Sequence, residues 1–138
     1  ADNVATGSMA GMRLIHALRS ALGPRLAVWP FDRVDPHRSE GPAMVLVEIF
    51  PSYYFHLAGF NPAKNAAADP AFMSAALAAY GSAGVGSDFT PRGADADEAD
   101  ALISAAALRH FAGLPDSWTA PPAAASEGWI FGVPAQEG

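Results

Sequence analysis

The chain contains no cysteine. Disulfides and thiolate metal sites are therefore excluded, and the composition suits a reducing cytoplasm. Cations are scarce as well: eight Lys plus Arg, of which only Lys64 is lysine, stand against fourteen acids for a formal net charge of -6. Such a surface offers no broad electrostatic footprint for duplex DNA. It stays compatible with a nucleic-acid enzyme whose acids hold metal ions, because bound cations invert the local charge. No apolar run approaches the roughly 20 residues of a membrane span, and no basic-then-apolar leader opens the chain. Two catalytic signatures are missing too. No serine stands in a G-x-S-x-G elbow, and "YGSAGVG" follows a helical pattern and precedes a loop, which is the wrong context for a phosphate-binding loop. The histidines have no metal-ligand spacing: His16 and His110 fall on helix faces, His37 in a loop and His56 among aromatics.

What is present is a folded body. A chain of 138 residues, 51% hydrophobic and 16% charged, fits one domain that buries roughly two-thirds of its unfolded surface. "SMAGMRLIHALRSALG" reads as a helix from Ser8, ending before Gly23-Pro24. "RLAVWPF" (25–31) reads as a short strand and "DRVDPHRSEGP" (32–42) as a polar loop. "AMVLVEIFPS" (43–52) is the clearest strand. Met44 to Phe50 are apolar except Glu48, so both faces are expected to be covered by helices. A short helix is expected over "SYYFHLAG" and a second over 69–84, with Asp69 as N-cap and Pro70 in its first turn. A third long helix runs from Asp95 to Phe111, its stripe of Leu102, Ile103, Ala106 and His110 facing a core. The Pro- and Gly-rich tail from 112 to 138 reads as extended over the surface, with Trp129, Ile130 and Phe131 buried. The pattern is α/β, with no repeat and no domain boundary.

The acids carry the chemistry. Asp97 and Asp100 stand three residues apart on one helical face, roughly 5–6 Å apart at Cβ. Two carboxylates so close repel unless a cation or a proton lies between them. Against this stands plain capping: Asp95 with Glu98 makes a capping box, and acids in a first turn favour the helix dipole. Glu48 adds weight to the metal reading, because a lone Glu in an apolar strand either faces a polar site or is buried at a cost. It also lies at a strand's carboxyl end, where open α/β sheets place their sites. Glu48, Asp97 and Asp100 together form an oxygen-rich set suited to Mg²⁺ or Mn²⁺, and two such ions clamp a phosphoryl displacement. Glu127 has no assigned role.

Taken in order, "VATGSMAGMRLIHALR", "AVWPFD", "VLVEIFPS", "DEADALISAAALR" and "EGWIFG" resemble domain-of-unknown-function family 429, whose members are expected to be ribonuclease-H-like nucleases. The stretches span about Val4 to Gly132. The resemblance implies a ribonuclease-H-like α/β fold, a central sheet flanked by helices, and two-metal phosphodiester chemistry. Asp97, Asp100, Ala101 and Leu102 reproduce the D-x-x-D-A-L pattern of Holliday-junction resolvases, and Glu48 matches the family's strand carboxylate. The first-strand Asp of that superfamily has no counterpart here, so the chain resembles the carboxyl-terminal half of such a domain.

The expectation is thus a metal-dependent nuclease with Glu48, Asp97 and Asp100 as catalytic metal ligands. Nucleic acid of unspecified type is its substrate, and the chain is inactive by itself. The sheet is expected to be incomplete, its open edge filled by an amino-terminal segment or by a second copy of the chain. The alternative is a non-catalytic ribonuclease-H-like domain that binds a protein or nucleotide ligand, its acids serving as caps. Geometry separates the two: converging acids favour the enzyme, scattered acids the binder.

Overall fold

A computed structural model describes residues 3–36, 40–61, 68–92 and 97–134, with side chains from Ser8 onward. Among these residues the chain forms α1 (Asn3–Leu22), β1 (Leu26–Val28), β2 (Met44–Leu46), α2 (Pro51–Leu57), α3 (Pro70–Ala79), α4 (Asp97–Ala112) and α5 (Ala124–Glu127). The architecture is mixed α/β with a small parallel sheet. None of these helices is long and apolar enough to cross a membrane.

The local rules explain most of these elements. α3 starts where Asp69 Oδ1 accepts the Ala71 N–H at 3.0 Å, with Pro70 in its first turn, since a capping carboxylate satisfies a donor the helix leaves free. It stops at Gly81, whose φ of 65° lets the Ser82 N–H reach back to the Leu77 carbonyl. α2 ends the same way at Gly59, where the Phe60 N–H returns to Phe55. α1 begins five residues before the expected Ser8 and ends, as expected, at Leu22.

The core lies between α2, α3 and α4. Tyr54 and Phe55 from α2 meet Met73, Ala76 and Leu77 from α3 and Ala99, Ile103, Ala106 and Ala107 from α4. The alanines of α4 let the helices approach closely. They also correct the expected stripe: Ala99, Ile103, Ala106 and Ala107 face inward, while Leu102 is half-buried and His110 is exposed, edge-on to Tyr80. Two phenols thread this core, the Tyr80 hydroxyl donating to the Tyr54 carbonyl at 2.5 Å and the Tyr54 hydroxyl to the Phe131 carbonyl at 2.9 Å.

The sheet differs most from expectation. β1 is fully buried, but β2 covers only Met44–Leu46 and is half-buried at best. The expected interior strand over Met44 to Phe50, covered on both faces, is not formed: Ile49 is 43% and Phe50 49% exposed. The chain leaves the sheet early because Pro51 starts α2 from an extended Phe50. The tail joins the sheet instead. Glu48 bridges Ile130 in parallel, and the Phe131 N–H donates to the Glu48 carbonyl at 3.0 Å. This places Phe131 in the core at 1% exposure, with Trp129 and Ile130 half-buried. Upstream of that bridge the tail is less extended than expected, with a 3₁₀ turn over Pro115–Trp118 and the short α5.

Candidate functional site

Asp97 and Asp100 open α4, and the structure keeps them together. Asp97 is exposed, whereas Asp100 is partly buried. Burial, and then the neighbouring Asp97 charge, raise the Asp100 carboxyl above its ordinary range. Glu98 turns away from the pair to the preceding loop. Its carboxylate accepts the Arg92 backbone N–H at 2.9 Å and the Arg92 guanidinium at 3.1 and 3.2 Å. Those contacts hold the Glu98 carboxyl below its usual range. The capping box expected from Asp95 lies outside the described residues.

Glu48 stands elsewhere. Its carbonyl receives the Phe131 N–H, and the next residue, Gly132, has its backbone against the Phe111 ring: a Cβ added at Gly132 would lie 2.3 Å from Phe111 Cδ2. Phe111 is in the last turn of α4 and Asp100 in the first. That separation amounts to roughly 16 Å of helix axis at about 1.5 Å per residue. Glu48 is thus tied through the tail to the carboxyl-terminal turn of the Asp97 helix, and no contact to its amino-terminal turn is found among the described residues. Among the described residues no group of three or more His, Asp and Glu is placed to hold a metal ion. The physical reason is the exposure of Glu48. With the strand ending at Leu46, its side chain reaches water and needs no partner in the core.

The structure gathers a different set around Glu48. Met12 and Ile15 of α1, Val28 to Phe31 from the end of β1, Leu46 to Glu48, and Glu127 to Trp129 from the end of α5 enclose an open groove of about 370 Å³. Its walls are apolar: Met12 is 67% and Phe31 56% exposed, and Gly128, at φ 76°, brings the backbone beneath Phe31 and Glu48. Two carboxylates, Glu48 and Glu127, line it together, and among the described residues no basic side chain does. Neither acid has an ion-pair partner among the described residues. The Trp129 indole is fixed by its N–H donating to the Val133 carbonyl at 2.9 Å.

One acid outside the expected set fixes the turn that follows β1. Asp32 Oδ2 accepts the Val28 N–H at 2.8 Å and the Arg19 guanidinium at 2.7 Å, while its own N–H donates to the Val28 carbonyl at 2.8 Å. It therefore ties α1 to the end of β1. Sequence reasoning placed Asp32 in a polar loop and left Glu127 without a role. The signals available were the Asp four residues after an apolar strand and the acid preceding a Gly-Trp pair. Comparison with protein-family models, curated proteins and solved structures finds no match to this chain.

Proposed function

We propose that this chain is a non-catalytic α/β binding module whose groove takes an apolar, positively charged segment of a protein partner. The observation that carries the reading is the pairing of exposed apolar walls with two unneutralised carboxylates, Glu48 and Glu127. Apolar surface left open in this way gains free energy when covered, at roughly 25 cal/mol per Å², and exposed apolar patches rimmed by charge mark interaction sites. The charge selects the occupant: a cationic group is drawn to the rim and an anionic one, including a nucleic-acid phosphate, is repelled. Isothermal titration with a synthetic amphipathic Leu/Lys helix and its Leu/Glu counterpart tests this. The basic peptide should bind and the acidic one should not, and Glu48→Gln with Glu127→Gln together should weaken binding about tenfold. Equal binding of both peptides, or of neither, would remove the proposal.

A second reading, metal-dependent phosphodiester hydrolysis, keeps one specific support. Asp97 and Asp100 form a mutually repelling pair at a helix start, which a divalent cation would relieve. In that reading the remaining ligands come from beyond the described residues, and Glu48 serves another purpose. Mn²⁺ titration followed by paramagnetic relaxation decides it. Broadening centred on Asp97 and Asp100 and lost in Asp100→Asn supports metal binding, and uniform weak broadening opposes it.

A further inference from the structure

We infer that the groove beside Glu48 is a cage for a methylated ammonium, and that its occupant is a methylated lysine side chain of a protein partner. This rests on the groove reading above and deepens it by naming the group that the groove selects. Three aromatic side chains, Trp29, Phe31 and Trp129, line the groove together with Glu48 and Glu127. Most rings of the chain pack on one another: Trp29 and Trp118 on Phe131, Tyr54 and Tyr80 on Phe111, Phe55 and Phe60 on Phe72. Phe31 and Trp129 pack on no other ring among the described residues. Phe31 is 56% exposed, and Trp129 is half-buried with its indole N–H already given to the Val133 carbonyl. What Trp129 offers the groove is therefore its carbon surface and not a hydrogen-bond donor.

Ring and acid meet at one point. Gly128 has φ 76° and no side chain, and the place its Cβ would take lies 3.7 Å from Glu48 Oε2 and 3.8 Å from Phe31 Cζ. Phe31 and Glu48 thus flank one gap, at a residue whose backbone conformation glycine adopts most readily. A cation seated over that gap touches an aromatic ring and a carboxylate together. The ring quadrupole attracts it, and Glu48 and Glu127 supply charge that no described cation neutralises. A plain ammonium fits less well. Its three N–H donors must exchange water for acceptors, and the only charged acceptors lining the groove stand at exposed positions, where water competes for them. Methylation keeps the charge and replaces donors with apolar surface, so the cation covers Met12, Ile15 and Phe31 without burying an unpaired N–H.

The shape of the site favours a tethered group over a free solute. The groove's volume of about 370 Å³ lies at the low end of ligand sites, which hold roughly 300–1,000 Å³. A second hollow of about 280 Å³, lined also by Ile130 and Val133, shares Glu48, Glu127, Gly128 and Trp129 with it. A free methylammonium solute leaves that second hollow empty, whereas a lysine within a polypeptide lays its neighbours there. The net charge of -6 draws the same kind of partner, a basic segment.

Isothermal titration with three versions of one short Gly/Ala peptide is the direct test. Its central residue is lysine, trimethyl-lysine, or the uncharged tert-butyl isostere of trimethyl-lysine. The trimethyl-lysine peptide should bind about tenfold more tightly than either of the others. This comparison is made on the unaltered protein and does not depend on any variant folding. Phe31→Leu keeps an apolar wall at an exposed position and should erase the preference, whereas Phe31→Tyr should retain it. Choline chloride alone should bind more weakly than the trimethyl-lysine peptide. Equal binding of the three peptides overturns the cage, as does a preference that survives Phe31→Leu. Choline binding as tightly as the peptide overturns the assignment to a protein partner. If the three peptides bind alike while the amphipathic Leu/Lys helix still binds in preference to its Leu/Glu counterpart, the cage falls and the groove reading stands. If no peptide of either kind binds, both fall.

Discussion

Ser104 shows how closely the helical core is packed. Its hydroxyl is buried in α4 with no hydrogen-bond partner, the only such side-chain atom among the described residues. A buried hydroxyl without a partner carries its full desolvation cost, and alanine is the better helix former. Ser104→Ala should therefore stabilise the fold by about 1 kcal/mol, read as an upward shift of the urea midpoint at unchanged slope. Asp100 gives a second residue-scale prediction, with its sign fixed by the raised carboxyl. A group whose folded pKa lies above its unfolded value contributes stability fully present below the unfolded pKa. That contribution is lost as the pH rises through the folded value. At neutral pH the ionised Asp100 therefore opposes folding. Asp100→Asn should raise the melting temperature at pH 7 and make no difference below the ordinary carboxyl range. A variant less stable than the parent at pH 7 would mean that the helix dipole outweighs burial and Asp97.

Among the elements, α1 depends on few contacts. From Ser8 to Leu22 only residues Gly11, Ile15, Leu18 and Leu22 are partly covered, and Arg19 with Asp32 supplies its polar tie. Asp32→Ala should release the helix and strand the buried Val28 N–H, costing about 1–3 kcal/mol. Hydrogen exchange should then rise over residues 8–22 while α3 and α4 keep their protection. The helices were legible in the sequence because their signals are local: Asp69-Pro70, Gly59 and Gly81 each act within one turn. The strands were less so. An apolar run such as "MVLVEIF" records burial potential, but where the strand stops was decided by Pro51 and by the tail, which is far along the chain. The candidate site failed for the same reason. The spacing of Asp97 and Asp100 is intrahelical and came out as expected, whereas the distance from Glu48 to either depends on which end of α4 the sheet meets. The closure of β1 by Asp32 was hidden because an Asp in a turn-rich loop looks like any other turn residue.

Across the whole molecule, the phenol chain links the end of α3 to α2 and α2 to the tail. Burial pushes both Tyr54 and Tyr80 up to about 12, with the Tyr80 charge adding to the effect at Tyr54. Both folded values lie above the ordinary phenol value of 10. The stability they confer is complete below pH 10 and is lost as the pH rises through about 12. Circular dichroism against pH should show cooperative loss of helix in that window, coincident with tyrosinate absorbance at 295 nm. Tyrosinate signal from both residues near pH 10 with the helices intact would contradict the buried chain. The same link has a temporal side. On the ribosome Tyr54 emerges 77 residues ahead of the carbonyl that its hydroxyl will meet, and Glu48 emerges earlier still. At about 5–20 residues per second, the α2 aromatics and the end of β2 wait roughly 4 to 15 s for Phe131. The nascent protein passes through that interval with Phe131 still inside the translation machinery, and a chaperone has those seconds in which to hold it.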